Sequence, residues 1–592
     1  MKPILNRREL IQRALAGVSA VSLPIGLTAC GSSDTSDSSN AIALQFLHGV
    51  ASGDPLQDKV ILWTRVTVAD SSLRLELDWE IATDPEFKNI HNKGKAQTSS
   101  AYDFTLKVDA DKLKANQTYY YRFKFGSVVS AVGQTKTLAE QSTALEKVRF
   151  AVCSCSNYPA GYFHVYKEMA KLDVDAVLHL GDYIYEYGQG GYATEDAKTL
   201  GREFAPDNNQ EILNLSDYRK RYALYRLDPD LQALHQRHPF VVIWDDHELS
   251  NDAWFNGAEN HQANEGSFAD RKAAALQAYF EWMPIRAKSA EDHLHIYRQF
   301  NYGNLVQLNM LDTRILARSE QLDYATYMTA VGGLDSTKFA SDLYSSSRTL
   351  MGAEQLAWLN TSLANSQAKW NVLGQQVLMA KMLIPAEILS ILAKVQSGTA
   401  GAAELAAIKQ MITELSAIKI QYLTDPSKLT VEQITRIKSV LPYNLDAWDG
   451  YAYEREMLYG MLQQLKKQVV VLAGDTHNAW YSTLYAQNGV QTGIELATSS
   501  VSSPGMEKYL QISPADLHSF EQAFALLIDE LQYCNLNQRG YLLVEFNQTA
   551  VNANWVFVDT VKSKNYQIDN TTAKAVSLDL NLKTIASVAK SA

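Results

Sequence analysis

The sequence predicts an α/β domain preceded by an all-β domain, and three observations support this prediction. Between residues 42 and 140, short β-branched, aromatic or alternating runs are separated by turn residues. From residue 146 the pattern changes to apolar strand candidates, with helical patterns between the earlier ones. Almost every early strand candidate of this second part ends in a cluster of polar residues. A site at the carboxyl ends of the strands of an α/β sheet would produce that arrangement.

The composition fits a large globular body. The chain has 592 residues, of which 46% are hydrophobic and 20% are charged, so it has enough apolar material for a sizeable core. At roughly 150 residues per domain, we expect several domains or one large domain with additions. The formal net charge is −11, whereas proteins that bind duplexes carry a basic face. The composition therefore argues against a nucleic-acid-binding surface.

The first 29 residues read as an export signal. A basic start is followed by an apolar run, 14–29, that is interrupted by Pro24 and is shorter than the roughly 20 residues of a membrane-spanning helix. The pair Arg7-Arg8 resembles a twin-arginine signal, which exports proteins already folded. Leu27-Thr28-Ala29-Cys30 resembles a lipobox, after which Cys30 would become the lipidated N-terminus.

Two interpretations of this start remain open, a lipoprotein signal and a plain secretory signal with an incidental cysteine. The lipoprotein is favoured because Cys30 stands where the apolar run stops and a polar, flexible linker, 30–41, follows. We therefore expect an exported bacterial protein, periplasmic or on the cell surface, that touches the membrane only through its lipid anchor. We expect it to be a monomer.

The region 42–140 predicts an antiparallel β-sandwich of immunoglobulin or fibronectin type III size. Its four strand candidates are bounded by turn residues at the spacing typical of such domains. These candidates are 60–66, 73–79, 105–108 and 119–125.

The region 146–580 predicts the α/β domain. Helical patterns at 269–282 and 355–363 separate some of its strand candidates. Those candidates are 148–152, 176–180, 240–244, 305–311, 370–377, 469–473, 493–497, 541–546 and 553–558.

Residues 386–440 look like a helical insertion in this domain. Apolar residues recur at helical spacing in two stretches, and Thr430-Val431-Glu432-Gln433 reads as a capping box that opens a third helix. The three helices are either packed helices and nothing more, or a cap over the site.

The polar clusters after the strands contain side chains that can bind metal ions. Asp182 follows a strand and a glycine, and Asp475 and His477 are separated by one residue, so both side chains can reach one centre in an extended turn. The cluster 245–248, Asp-Asp-His-Glu, adds carboxylates and an imidazole from another strand end. Each pair alone is a weak signal because Gly-Asp marks many ordinary turns. Together they predict a metal centre.

These motifs resemble those of the calcineurin-like metallophosphoesterases and, within them, of the PhoD-type alkaline phosphatases and phosphodiesterases. Two positions depart from the superfamily pattern: Asp246 stands where asparagine is usual, and Asp475 stands where histidine is usual. The resemblance implies a four-layer sandwich of two β-sheets flanked by helices, with an immunoglobulin-like domain in front. The motifs that carry it run in order along the chain: 49–55, 62–65, 154–158, 179–186, 244–248, 311–314, 446–451 and 474–477.

The resemblance also implies the two metals and their ligands. Asp182 would bridge them, and Cys155 and Tyr185 would ligate Fe(III). His477 or Asp475 would complete that centre or a neighbouring Ca²⁺ centre. Anionic oxygen ligands suit the hard ferric ion, and Ca²⁺ takes six to eight oxygen ligands.

Further residues would act around these ions. Asp246 would bind the second metal, and His247 would sit against the scissile phosphate oxygen as hydrogen-bond donor or general acid. Arg314 would contact phosphate, although a structural ion pair is an equal alternative. Asn157, Asp245 and Glu248 would be outer members of the site.

The cysteines can be interpreted in two ways. Apart from Cys30, three remain, an odd number for an exported chain, so one thiol stays unpaired or does something other than pairing. Cys155 is a metal ligand under the resemblance, whereas a lone cysteine in a strand turn is ordinarily a small buried hydrophobe. We expect Cys153 and Cys534 to lie in the core.

The function that the resemblance implies is hydrolysis of phosphoesters by a metal-activated water molecule, with Fe(III) and Ca²⁺ as cofactors. One alternative is a phosphodiesterase or phospholipase D-like enzyme on the same scaffold, acting on phospholipid headgroups or on polymer phosphodiesters. The acidic balance of the chain disfavours a strongly polyanionic polymer unless the site is locally basic. A second alternative is a surface lipoprotein that binds without catalysing and whose metals are structural.

Overall fold

The computed structural model describes residues 43–289, 292–329, 333–389 and 402–586, so the expected signal, the linker and Cys30 lie outside the described residues. Every strand named in the sequence analysis is present, with bounds shifted by a few residues. No helix within the described ranges has the length and apolarity that crossing a bilayer would require.

A ten-stranded mixed sheet forms the first large layer. Its four central strands run parallel, and their carboxyl ends lie at one edge, where the polar clusters 154–157, 181–182 and 245–248 follow them. In order across the sheet the strands are Thr584–Ala586, Ile568–Asp579, Ala550–Val558, Arg539–Asn547, Lys147–Cys153, Ala176–Leu180, Pro239–Ile243, Val50–Gly53, Val60–Arg65 and Thr105–Ala110.

A seven-stranded mixed sheet forms the second large layer. Four of its strands are parallel, and one of these carries the cluster 474–477 at its carboxyl end. In order across the sheet the strands are Arg298–Tyr302, Val306–Met310, Trp370–Gly374, Val469–Ala473, Gln491–Ala497, Ala479–Tyr485 and Leu531–Asn535.

The two sheets pack face to face and helices cover their outer faces. Alternate residues of the strand Val469–Ala473 show this: Val470 and Leu472 belong to the apolar core between the sheets, whereas Val469 and Val471 pack on the helical side. This is the predicted four-layer sandwich. The helices are His164–Met169, Ala197–Leu200, Leu215–Tyr225, Pro229–Arg237, Phe268–Trp282, Ser336–Leu343, Gly352–Asn365, Ala402–Thr424, Val431–Lys438, Ala452–Leu465, Met506–Tyr509 and Leu517–Leu527.

The front β-domain shares one of its layers with the large sheet. Its own antiparallel sheet consists of Gly133–Lys136, Thr118–Phe125, Arg74–Ala82 and Ile90–Ser99, with Val128–Val129 alongside. The opposite layer is the edge of the ten-stranded sheet, where Val50–Gly53 pairs in parallel with Pro239–Ile243. The boundary near residue 140 therefore separates two chain segments but not two sheets. The physical reason is that the strand Pro239–Ile243 would otherwise leave its backbone groups unpaired.

The described part of the insertion packs on a late helix. Thr430 caps Val431–Lys438, and the predicted capping box with Gln433 is confirmed. The apolar face of Ala402–Thr424 lies against Leu517–Leu527, and Lys419 pairs with Asp529 at 2.6 Å. These contacts account for the apolar stripes of the insertion by packing.

Candidate metal centre

Four candidate ligands adopt a backbone conformation that side chains other than glycine rarely take. Cys155, Asp182, Asp475 and His477 have φ values of 61°, 55°, 65° and 62°, in the left-handed region. Each lies within four residues of the carboxyl end of a strand. Backbone strain of this kind costs about 1–3 kcal/mol per residue and clusters at functional sites. The four residues lie in turns at the carboxyl ends of their strands.

The first group of donor atoms comprises Cys155, Asp182 and His477, whose ligand atoms lie within 4.8 Å of one another. The Tyr185 hydroxyl is part of the same cluster because it lies 2.9 Å from Asp182 Oδ2 and 3.2 Å from His477 Nε2. His477 Nδ1 donates to the Pro504 carbonyl at 2.7 Å, so the lone pair of Nε2 faces the cluster. The predicted iron ligands are therefore neighbours.

Two further groups adjoin the first. Asp182, Asp246 and His247 bring their donor atoms within 4.8 Å of one another, and so do Asp245, Asp246 and Asp475. Asp182 belongs to the first and second groups, and Asp246 belongs to the second and third. The three groups form one continuous cluster, which is joined by Asp182 and Asp246.

Unpaired oxygen atoms show that this cluster suits a cation. Within the described residues, Asn157 Oδ1, Asp182 Oδ1, Asp245 Oδ2 and Asp246 Oδ1 are buried and accept no hydrogen bond. Buried polar atoms are mostly hydrogen-bonded, so the three unpaired carboxylate oxygens inside the cluster, those of Asp182, Asp245 and Asp246, are free to bind a cation. Their oxygens suit Ca²⁺, and the thiol, imidazole and phenol beside them suit a transition metal.

The pKa shifts of these side chains also indicate a site for a cation. Burial and then the carboxylate of Asp182 raise the pKa of Cys155 and of Tyr185 well above their usual values. Burial and the surrounding carboxylates also raise the pKa of Asp245 and Asp475, against the opposing charge of Arg314. A bound cation reverses such shifts because it stabilises the ionised ligands.

Arg314 is fully buried and its hydrogen bonds go to protein carboxylates. Its Nε donates to Asp245 at 2.6 Å, and its two terminal nitrogens donate to Asp446 at 2.7 and 2.8 Å. Asp246 and Asp475 lie farther away, at 3.8 Å. These contacts favour the structural ion pair over the phosphate contact, since the guanidinium is already bound.

His247 lies at the edge of the cluster with a carboxylate behind it. Its Nδ1 is 2.7 Å from Glu186 Oε2, and its ring lies over that of Tyr185 with centroids 4.2 Å apart. Burial lowers the pKa of His247, but Asp246, Glu186 and Asp182 outweigh burial and raise it well above the usual value. The carboxylates around His247 therefore favour its protonated form, and Glu186 fixes the orientation of its ring.

Other residues support the cluster, and not all of them had an assigned role in the sequence analysis. Glu186 ends a quoted motif, and its position there was the signal that could have identified it. Glu248, expected as an outer member of the site, accepts from the backbone N–H groups of Asp182 and Asp245 at 3.0 and 2.7 Å, so it holds two ligand-bearing turns. Ser503 and Pro504 contact the cluster from a serine-rich segment that carries no metal motif.

The three described cysteines lie in two kinds of environment, an apolar core and a group of donor atoms. Cys153, Cys155 and Cys534 are all buried and none is in a disulfide in the described part of the chain. Cys153 packs in the apolar core between the sheets, and Cys534 packs in the core on the helical side. Cys155 alone lies within a group of donor atoms.

Comparisons with known proteins agree with this geometry. Residues 150–555 match the family model "PhoD-like phosphatase", and residues 31–139 match "PhoD-like phosphatase, N-terminal domain". The chain is 35% identical over 521 residues to "Alkaline phosphatase D" of Bacillus subtilis (strain 168), covering 84% of this chain and 76% of that protein. It is also similar to a solved structure described as "Structure of PhoD", with a TM-score of 0.72, 32% identity, and coverage of 92% of this chain and 93% of that one.

The matches extend over both the front domain and the four-layer domain, and the residues that form the metal cluster fall inside the larger match. The sequence similarity and the shared fold identify the family of this chain. The chain belongs to the PhoD-like phosphatase family and is a phosphoric ester hydrolase.

Proposed function

We propose that this protein is an alkaline phosphatase whose site holds Fe(III) and Ca²⁺ and hydrolyses phosphoesters. The observation that carries this proposal is the continuous cluster of donor atoms around Asp182, in which three buried carboxylate oxygens lack a hydrogen-bond partner. Phosphoester substrates follow from the family. Preference for monoesters, the identity of the ions and the roles of single residues are parts of the proposal.

The donor chemistry divides the ligands between the two ions. Cys155, Tyr185 and His477 would hold Fe(III) together with Asp182. Asp246 would hold Ca²⁺ with Asp182, and Asp245, Asp475 and Asn157 would be further oxygen donors. When bound, such ions activate a water molecule and neutralise phosphoryl oxygens.

The protein's own residues then orient the substrate and move a proton. His247 would donate a hydrogen bond or a proton to the oxygen of the leaving group, and Glu186 would keep it in the charged form with Nε2 as the free donor. Arg314 would act indirectly, because its bonds to Asp245 and Asp446 fix the carboxylates on one side of the cluster.

Kinetics with and without metals test the proposed reaction. Initial rates on p-nitrophenyl phosphate and bis-p-nitrophenyl phosphate should fall to background after chelation and return when Fe(III) and Ca²⁺ are added back. Preference for the monoester supports the phosphatase assignment, and preference for the diester supports the phosphodiesterase alternative. Full activity on every ester after complete metal removal would contradict the proposal.

The iron has a visible signature. Phenolate and thiolate ligands give Fe(III) a charge-transfer colour, whereas zinc and calcium complexes of the same ligands are colourless. Tyr185→Phe should shift or abolish the band and lower the iron content. Tyr183→Phe is the matched control, because its buried hydroxyl bonds His235 at 2.9 Å and lies outside the donor groups. A colourless, iron-free and fully active protein from iron-rich cells would refute the assignment of iron.

We also propose that the protein is exported folded, anchored by a lipid at Cys30 and active as a monomer. The support is the pair Arg7-Arg8 and the segment Leu27–Cys30. Cys30→Ala should move the protein from the membrane fraction to the soluble exported fraction. If the variant stays fully membrane-bound, the lipid anchor is ruled out.

A further inference from the structure

The segment Ser500–Pro504 contacts three candidate iron ligands at once. Ser503 Oγ lies 2.7 Å from the Tyr185 oxygen and 3.0 Å from the Cys155 carbonyl oxygen. The Pro504 carbonyl accepts the hydrogen bond from His477 Nδ1. Ligands from three separate parts of the chain are thus held by one short segment.

The surroundings of the Tyr185 oxygen single out Ser503. Three polar side-chain atoms contact this oxygen in the described part of the chain: Asp182 Oδ2, His477 Nε2 and Ser503 Oγ. Asp182 can only accept when it is ionised, and His477 presents its lone pair because its hydrogen goes to Pro504. Both atoms are also ligand atoms of the same group. Ser503 is the contact that can donate a hydrogen bond without being a ligand.

Ser503 has two acceptors within reach. Its Oγ lies closer to the Tyr185 oxygen, at 2.7 Å, than to the Cys155 carbonyl oxygen, at 3.0 Å. The Ser503 hydroxyl is fully buried, so water does not compete for it. As a metal ligand the Tyr185 oxygen would only accept hydrogen bonds, and Ser503 Oγ is the donor that the geometry places beside it.

We propose that Ser503 is a positioning residue that holds the Tyr185 oxygen in place for the metal by donating a hydrogen bond to that oxygen. This inference rests on the proposed function, because it requires Tyr185 to be a metal ligand. Outer partners of this kind fix the orientation of ligands and tune their basicity, and their loss costs about 10–100-fold in metal affinity.

Metal binding without substrate tests the inference. The dissociation constant for Fe(III) is measured by competition with a chelator, and the phenolate band is recorded for each loaded protein. Ser503→Ala should weaken iron binding by about tenfold or more and shift the band. Ser503→Thr, which keeps the hydroxyl, should restore both. The matched control is Ser500→Ala, because the equally buried Ser500 hydroxyl bonds the Ser503 carbonyl oxygen at 2.6 Å.

A double-mutant cycle separates positioning from packing. If Ser503 acts through Tyr185, Ser503→Ala should leave the iron affinity of Tyr185→Phe unchanged. Equal losses in both backgrounds, or a Ser503→Ala protein that matches Ser500→Ala in affinity and band, would overturn the inference. A different result would refute the proposed function. If the wild type binds iron and the effect of Ser503→Ala depends on Tyr185, but no phosphoester is hydrolysed, the function is wrong and the role of Ser503 is supported. A hydrolase with no phenolate band overturns the role of Ser503.

Discussion

Replacing Glu186 by glutamine tests the role of His247. The Glu186 carboxylate is fully buried, and Oε2 lies 2.7 Å from His247 Nδ1. Its other oxygen accepts from the Asn251 backbone N–H at 2.8 Å and from Asn260 Nδ2 at 2.9 Å. A glutamine that keeps these two bonds must turn its amide NH₂ toward Nδ1. His247 would then be neutral, with its hydrogen on Nε2.

The size of the effect follows from the lost charge-assisted bond. A hydrogen bond to a charged group contributes about 1.5–3 kcal/mol. If that energy supports the charged form of His247 in the transition state, kcat should fall about 10- to 150-fold, at about 1.4 kcal/mol per factor of ten. The loss should be largest for alkyl phosphates, whose leaving groups need a proton, and smallest for p-nitrophenyl phosphate.

The assay compares kcat for an alkyl phosphate and for p-nitrophenyl phosphate, with metal content and thermal unfolding checked for each protein. Asn260→Ala is the control, because it removes a donor from the other oxygen of the same carboxylate and leaves the contact with His247 intact. A Glu186→Gln enzyme with equal losses on both substrates, or with no loss, would refute the assignment of His247 as the proton donor.

Three further predictions concern stability and substrate choice. Burial raises the pKa of Glu495 from 4.5 to about 8. Between these two pH values the folded state keeps a proton that the unfolded chain has already released. The free energy of unfolding should therefore fall by roughly 4–5 kcal/mol as pH rises through this window, and Glu495→Gln should flatten that dependence in urea titrations. Gly181 has φ +104°, and a Cβ there would lie 2.3 Å from Asp245 Cβ, so Gly181→Ala should cost about 2–5 kcal/mol and lower the metal content. Gly190→Ala, with φ +90° and open space, measures the backbone strain alone, and equal losses would show that no clash occurs. Replacing 386–440 by a short linker should change the ratio of monoester to diester hydrolysis with the metals still bound if the insertion is a cap, whereas an unchanged ratio would leave it a packing element.

Most of the fold and several candidate ligands could be predicted from the local pattern of the sequence. Strand periodicity located the strands that bear the polar clusters, because a buried parallel strand is an unbroken apolar run that stops where the site begins. Asp182, Asp475, His477 and the cluster 245–248 could be named for the same reason, whereas the ligand role of Cys155 was implied only by the family resemblance. Parallel strands end at one edge of a sheet, so residues that follow such strands converge in space.

The sequence did not determine contacts between distant segments. The continuity of the front domain with the large sheet depends on pairing between Val50–Gly53 and Pro239–Ile243, and nothing in either strand specifies its partner. The ion pairs of Arg314 with Asp245 and Asp446 also join separate segments of the chain, and no local pattern of the sequence specifies them.

The contacts around the candidate metal ligands could also be identified only from the tertiary structure. Ser503 stands in a serine-rich run that reads as an ordinary loop, and it reaches Tyr185 across 318 positions of sequence. Glu186 lies near Asp182 in the chain, yet its partner His247 comes from another strand end. A residue type and its spacing reveal which side chains can bind a metal, because that is a property of each side chain. Which side chains support them depends on how the two sheets pack, and only the folded chain brings those surfaces together.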